Sequence, residues 1–344
     1  IPDSVTSIGD GAFWGCGSLR SIVIPDGVTS IGNDAFRGCS SLSSLVIPDY
    51  VVNIKGNPFS GWNGELKCLS PYFIYDNKVL FNKDKSKIIA FRDKKTTSYV
   101  IPDYVTSIGN GAFYDCKSLS SVVIPKSVIS IGDYAFGECS SLTDIVLSDR
   151  ITSIGDSAFS TCSSLSTLVI PNGVTRIGDW AFRGCTSLSS IVIPDSVTSI
   201  GFCAFADCKS LTNIVIPDSV TSIGDSAFFG CSSLTDIVLS DSVTSVGKYA
   251  FYDCSSLSSL VIRATGTSIV DRAFKGCISL CCLAIHTKIV IPDGVTSIGD
   301  DALRGCTSLT DIVIPDSVTS IGDSAFSGCT SLTDIVIPDS VTSI

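Results

Sequence analysis

Residues 314–336 read IPDSVTSIGDSAFSGCTSLTDIV, and close copies of this 23-residue phrase fill the chain. Units open at Ile1, Ile24, Ile47, Ile101, Ile124, Leu147, Ile170, Ile193, Ile216, Leu239, Ile262, Ile291 and Ile314, and a further one opens at Ile337. The unit from Ile47 runs 54 residues and the unit from Ile262 runs 29. A fixed period of this length is the mark of a stacked array. In the unit from Ile193 the apolar residues are Ile193, Val197, Ile200, Ala204, Phe205, Cys208, Leu211 and Ile214. That spacing fits neither one helix nor one strand. It fits a closed coil whose side chains meet at its centre, and such a coil buries its apolar set only by stacking on neighbours.

Local chemistry assigns the parts of a coil. The alternating, β-branched run from Leu211 to Ile216 predicts a strand, and Pro217 ends it. Val220 to Ile223 predicts a second, shorter extended piece. Gly224 predicts a positive φ, and Asp225 fits a helix N-cap. Residues 226–229 then predict one helical turn, which Gly230 closes. The whole is an α/β repeat solenoid: a right-handed stack with a parallel β-sheet on one face and short helical or extended turns on the other. The array is read as a single solenoid over 1–344, a piece of a longer protein. Both ends repeat the interior pattern, which predicts end-to-end self-association or fraying.

The recurring block I-P-x-x-V-T-S-I-G-x-x-A-F-x-x-C-x-S-L-x-x-I-V resembles the BspA-type leucine-rich repeat and covers nearly the whole chain. The resemblance implies a leucine-rich-repeat-type fold and a surface or secreted protein that adheres to host matrix or cell-surface proteins. It implies no binding site residue by residue. Phe202 and Cys203 depart from the pattern after Gly201, Lys248 and Val270 break the Gly-Asp pair, Leu303 replaces the Phe, and Arg263 and Ala264 replace Pro-Asp.

The stretch 63–100 is read as an insertion forming a small basic β-meander, with a tight turn at Asp76 and Asn77. It holds eight Lys and Arg against four acidic residues, in a chain of net charge −10. Either it caps or bends the array, or Tyr72, Tyr75, Lys78, Lys83, Lys85, Lys87 and Arg92 form a contact patch.

Position 23 is Val in every full unit, and strand alternation points it outward. The resulting stripe, with the polar positions beside it, is the candidate partner face: Thr143, Asp144, Val146, Thr212, Asn213, Val215, Thr235, Asp236 and Val238. The other reading is that stacked valines simply favour parallel strands.

Nothing points to catalysis. His286 is the single histidine, and standing alone it argues against a Ser-His-Asp, Cys-His or His-rich metal set. Twelve of 16 cysteines fall at position 16. A column in which each Cys has two equivalent neighbours reads as reduced, buried small hydrophobes rather than as disulfides. Asp residues recur at positions 3 and 10, which suits turn and cap duty better than a calcium or acid–base site. No catalytic, cofactor or metal residue is assigned. The acidic balance argues against nucleic acid, and no apolar run is long enough to insert in a membrane. The reading is a surface adhesion or protein-binding module; the alternative is a passive spacer that displays another domain.

Overall fold

The computed structural model describes residues 1–262, 269–280, 289–291 and 293–344. Arg263, Ala264, Cys281, Cys282 and His286 lie outside the described residues. The chain packs as two units, Ile1–Cys162 and Ser163–Ile344. Each is a parallel β-solenoid, and each is described by itself.

In the second unit, the coil from Ile216 shows how one repeat folds. Ser222–Ile223 pairs in parallel with Ser199–Ile200 on one side and Ser245–Val246 on the other. Asp236–Leu239 pairs in parallel with Ser259–Ile262. Partners occupy the same unit position, so the 23-residue period itself sets the register. Along Asp236–Leu239 burial alternates, with Asp236 and Val238 out and Ile237 and Leu239 in. Just before Ser222–Ile223 the chain turns a corner at Pro217, whose carbonyl accepts the Val220 N–H at 3.0 Å. Proline fits here because the corner needs its carbonyl and not an N–H.

No helix forms among the described residues, which corrects the expected helical turn at 226–229. The reason lies in the amides. Ala227, Phe229 and Cys231 donate three residues back, to Gly224, Ser226 and Phe228. The amides between them, of Ser226, Phe228 and Gly230, donate instead to Lys248, Ala250 and Tyr252 of the next coil at 2.8 Å. A helix needs every amide to bond along its own chain; here every second amide points along the stack. That geometry requires a left-handed residue at position 11 (Ser226, φ 54) and at position 15 (Gly230, φ 68). Asp115, Glu138, Thr161, Asp207 and Asp253 take the same left-handed conformation at position 15.

Two further expectations are corrected at the preceding pair. Gly224 is not among the positive-φ glycines. It is glycine because a Cβ there would lie 2.7 Å from Gly201 C and from Phe202 N. Asp225 caps no helix. Its Oδ1 accepts the backbone N–H of Lys248, at the same position one coil on, at 2.8 Å. Asp10 does the same for Asn33, Asp133 for Asp156, and Asp179 for Phe202.

The core is a set of columns. Phe182, Phe205, Phe228, Phe251 and Phe274 stack with ring centroids 5.2 to 5.4 Å apart, and each such buried ring contributes about 2–3 kcal/mol. In the first unit Phe113, Phe136 and Phe159 continue the same pattern at 5.0 and 5.4 Å. Beside them, the thiol of Cys231 donates to the Phe205 carbonyl at 3.1 Å, and Cys208 and Cys254 repeat this at 3.2 Å. The cysteine column is therefore built of thiols that satisfy carbonyls of the preceding coil.

In the first unit, the stretch 47–100 makes two coils rather than one long repeat. Glu65–Cys68 lies in register with Ser44–Ile47, so Lys67 takes the position of Val46 and Cys68 that of Ile47. A second coil then runs over 68–100 and ends in Ser98–Val100, paired with Ser121–Val123. It carries the antiparallel meander of Phe73–Asp76, Val79–Asn82 and Lys87–Phe91. The tight turn sits at Asn77 and Lys78, both left-handed, one residue later than expected. Lys87 and Ile88 pair with Ser107 and Ile108, and Phe91 stacks on Phe113 at 4.9 Å. This coil thus passes from the short strand to the Phe column through Ile89 and Ala90 alone, and omits the Gly-Asp bulge. Trp62 and Lys94 interrupt the cysteine column. Trp62 Nε1 donates to the Leu42 carbonyl at 2.7 Å, and Lys94 Nζ to the Tyr114 carbonyl at 2.6 Å.

Two predictions follow from these contacts. Gly224→Ala forces neighbouring backbones apart, whereas Gly15→Ala, left-handed with nothing within 4 Å, adds only backbone strain of about 1 kcal/mol. In urea unfolding Gly224→Ala is expected to lose at least twice as much stability; equal losses would contradict the close-approach account. Burial pushes the Cys208, Cys231 and Cys254 thiols well above their usual pKa, so they stay protonated in mild alkali. With iodoacetamide at pH 8, exposed Cys16 is expected to label rapidly and these three only after unfolding, as read by peptide mass spectrometry.

Candidate binding surfaces

The strand faces are apolar ridges with polar margins. In the first unit Val23, Val46, Val100, Val123 and Val146 are 41 to 76% exposed, and in the second Val169, Val192, Val215, Val238, Val313 and Val336 are 41 to 79% exposed. These valines point outward because their strand neighbours fill the core, as Ile145 does beside Val146. Lys67 stands in the ridge of the first unit in register with Val46, a substitution the sequence reading did not see because it treated 47–100 as one repeat.

Thr143, Asp144 and Val146 of the first unit are exposed. Thr143 Oγ1 donates to the Ser120 carbonyl at 3.2 Å. In the second unit Thr212, Asn213, Val215, Asp236 and Val238 are exposed and Thr235 is partly so. Thr212 donates to the Ser189 carbonyl and Thr235 to the Thr212 carbonyl, at 3.4 and 3.3 Å. The threonines are therefore pinned along the stack, and Asn213 bridges to Ser190 and Asp236. Each face is a rigid surface whose polar margin is largely prepaired to its own backbone.

The basic residues of the meander do not form one patch. Arg92 is drawn inward: its guanidinium lies 4.2 Å over Trp62 and donates to the Gly64 carbonyl at 2.8 Å. Lys85 pairs with Asp76 at 2.9 Å and Lys78 with Asp93 at 3.2 Å. The Asp76 hydrogen bond holds the Lys85 ammonium above its usual pKa. Tyr75 is partly buried. Exposed Tyr72, Lys83 and Lys87 remain, with Lys83 Nζ 5.7 Å from the Tyr72 ring.

Sequence reasoning missed two clusters in the turn layer. In the first unit Trp14, Arg37 and Tyr114 converge, with the Arg37 guanidinium 4.7 and 4.3 Å over the two rings. In the second, Asp301 takes ion pairs from Arg272, Lys275 and Arg304 at 3.0 to 3.2 Å. The Arg272 hydrogen bond, above all, holds its carboxyl down at about 2. Both lie at positions 11 and 14, where residue type varies from coil to coil; that variation was the available signal. Among the described residues no group of His, Cys, Asp and Glu is placed to hold a metal ion, and no helix is long and apolar enough to cross a membrane.

Comparison with known proteins places this architecture. A leucine-rich repeat protein from Bacteroides ovatus is 30% identical, over 96% of this chain and 84% of its own, with a TM-score of 0.60. A leucine-rich cell surface protein from Faecalibacterium prausnitzii is also 30% identical, over 77% of this chain and 94% of its own, with a TM-score of 0.42. No curated protein sequence matches the chain. The model of the BspA-type leucine-rich repeat region matches residues 1–70, 87–211, 175–288 and 281–344. With the repeat, the parallel coils, the family model and the Bacteroides ovatus protein in agreement, the chain belongs to the BspA-type leucine-rich repeat family.

Proposed function

We propose that this chain is a non-catalytic, surface-displayed or secreted binding module whose strand face docks a host matrix or cell-surface protein. The observation that carries the reading is the exposed valine ridge. A row of solvated β-branched side chains is unfavourable in water unless something covers it. Membership of the family supports a surface role. Rigidity supports docking too, because a face already pinned by ladder hydrogen bonds loses little conformational entropy when a partner lands.

Size sets the shape of the contact. Five strands at about 4.8 Å span about 24 Å, and a strand of three to four residues is about 12 Å wide. That gives about 300 Å2, well below the roughly 800 Å2 each partner gives to a standard interface. A partner must therefore also cover the corner next to the strands. In the second unit that corner carries exposed Asp195, Asp218 and Asp241. The partner surface that fits has an apolar centre and a basic rim, and its association should slow as salt rises.

The test is plate binding of the intact chain to immobilised fibronectin, fibrinogen and collagen. Saturable binding is expected, weakened about tenfold or more by Val215→Glu, which inserts a charge at the centre of the ridge on a side chain that points away from the core. Binding indifferent to that change would place the contact elsewhere. No binding to any matrix or cell-surface protein would leave the chain a passive spacer.

A further inference from the structure

The coil over 68–100 leaves a gap in the turn layer of the first unit. Because it omits the Gly-Asp bulge, Asn57 of the coil before it reaches Gly111 of the coil after it, and its amide donates to the Gly111 carbonyl at 2.8 Å. Above this junction the surface sinks into a cleft of about 260 Å3, lined by Ser60 and Gly111 among others. Trp14, 61% exposed, and Tyr134, 47% exposed, contribute aromatic surface to its lining.

The polar groups of the cleft come as donor and acceptor side by side. Asn33 gives one amide hydrogen to Asp34 Oδ2 at 3.2 Å, and Asn110 gives one to Asp133 Oδ2 at 3.1 Å. Both amide oxygens are already used, by the backbone N–H groups of Asn57 and Asp133. Among the described residues each amide therefore keeps one N–H to offer, beside a carboxylate with lone pairs to spare. Asn at this position, where Asp is the rule, is what adds the donors.

Elimination narrows the ligand. An anion meets the Asp34 and Asp133 carboxylates. A cation meets the Arg37 guanidinium, which lines the cleft and already lies over Trp14 and Tyr114, so the aromatic platform left for a ligand is Tyr134. Arg37 is held there by hydrogen bonding to the Tyr114 hydroxyl, which in turn donates to Glu138. A neutral ligand whose vicinal hydroxyls each donate and accept, and whose ring C–H face lies flat on an aromatic side chain, satisfies the set. The volume is below that of pockets enclosing drug-sized molecules and suits one six-membered ring. We infer that this cleft binds a single pyranose residue of a glycan, on the turn layer and independently of the strand face.

The test uses the intact chain with methyl glycosides of glucose, galactose, mannose and N-acetylglucosamine, read by saturation-transfer NMR and calorimetry. At least one is expected to bind with Kd on the order of 1 mM, the affinity a ligand of this size reaches. Tyr134→Ala should weaken it about tenfold by removing the platform. Asn110→Asp keeps the acceptor for Asp133 N–H, and so the fold, but removes a donor; it should weaken binding several-fold. Val215→Glu should leave sugar binding unchanged, which separates this site from the strand face. No binding of any glycoside at about 20 mM, binding that survives Tyr134→Ala, or saturation by choline instead would overturn the inference.

Discussion

The constraint that governs this fold is that half the amides of each turn layer have no partner within their own coil. Ser226, Phe228 and Gly230 must find carbonyls on the next coil, and an unpaired amide in this packed layer would cost about 1–3 kcal/mol. A coil is thus incomplete alone for two reasons: its apolar side chains need a neighbour, and so do its hydrogen bonds. Both demands are met at one spacing. The Phe rings stack at 5.2 to 5.4 Å while the amides bond at about 2.8 Å. Side chains then copy the backbone: Asp225 to the Lys248 amide, Thr221 to the Thr198 carbonyl, Cys231 to the Phe205 carbonyl. Each is a single donor or acceptor that becomes useful because the same position recurs one coil away.

How much of this was legible in the sequence depends on where a residue's partner sits. The core was legible: Ile216, Val220, Ile223, Ala227, Phe228, Cys231, Leu234 and Ile237 are all buried, and outward-pointing valine followed from strand alternation. The turn layer was misread. Gly-Asp-Ser-Ala-Phe-Phe looks locally like a capped helical turn, and local propensity knows nothing of a carbonyl 22 positions ahead. Asp225 does cap an orphan amide, as its chemistry suggests, but the amide belongs to Lys248. Gly224 was seen to be necessary for the wrong reason. Absence of a Cβ serves positive φ and close approach alike, and only the neighbouring Gly201 and Phe202 distinguish them.

The long repeat was misread for a related reason. Its two coils lack the Cys that marks position 16 elsewhere; Trp62 and Lys94 stand there. Both restore by other means what the thiol supplies, a donor to a carbonyl of an adjacent coil. The column requires a donor of some reach rather than sulfur. The candidate patch on the same stretch loses Arg92, whose guanidinium lies over Trp62, a contact that joins an insertion to its host and that charge counting along the sequence does not see.

The two surfaces obey opposite rules, and this follows from the ladder. Position 23 sits in a strand whose neighbours on either side press directly on it, so valine recurs, and the face offers the same apolar feature many times over. A partner with several matching segments would gain by multivalency more than by any one contact. Positions 11 and 14 hang from a left-handed turn whose amides are already tied to the next coil, so side-chain identity is free. Glycine, Asp, Tyr, Ser, Trp, Cys and Arg all occur at position 11 without disturbing its conformation. Chemical variety can gather only there, and it gathers most where the 68–100 coil removes a bulge and opens a cleft. The two proposed contacts would thus separate breadth of contact from selectivity, in different layers of the same coil.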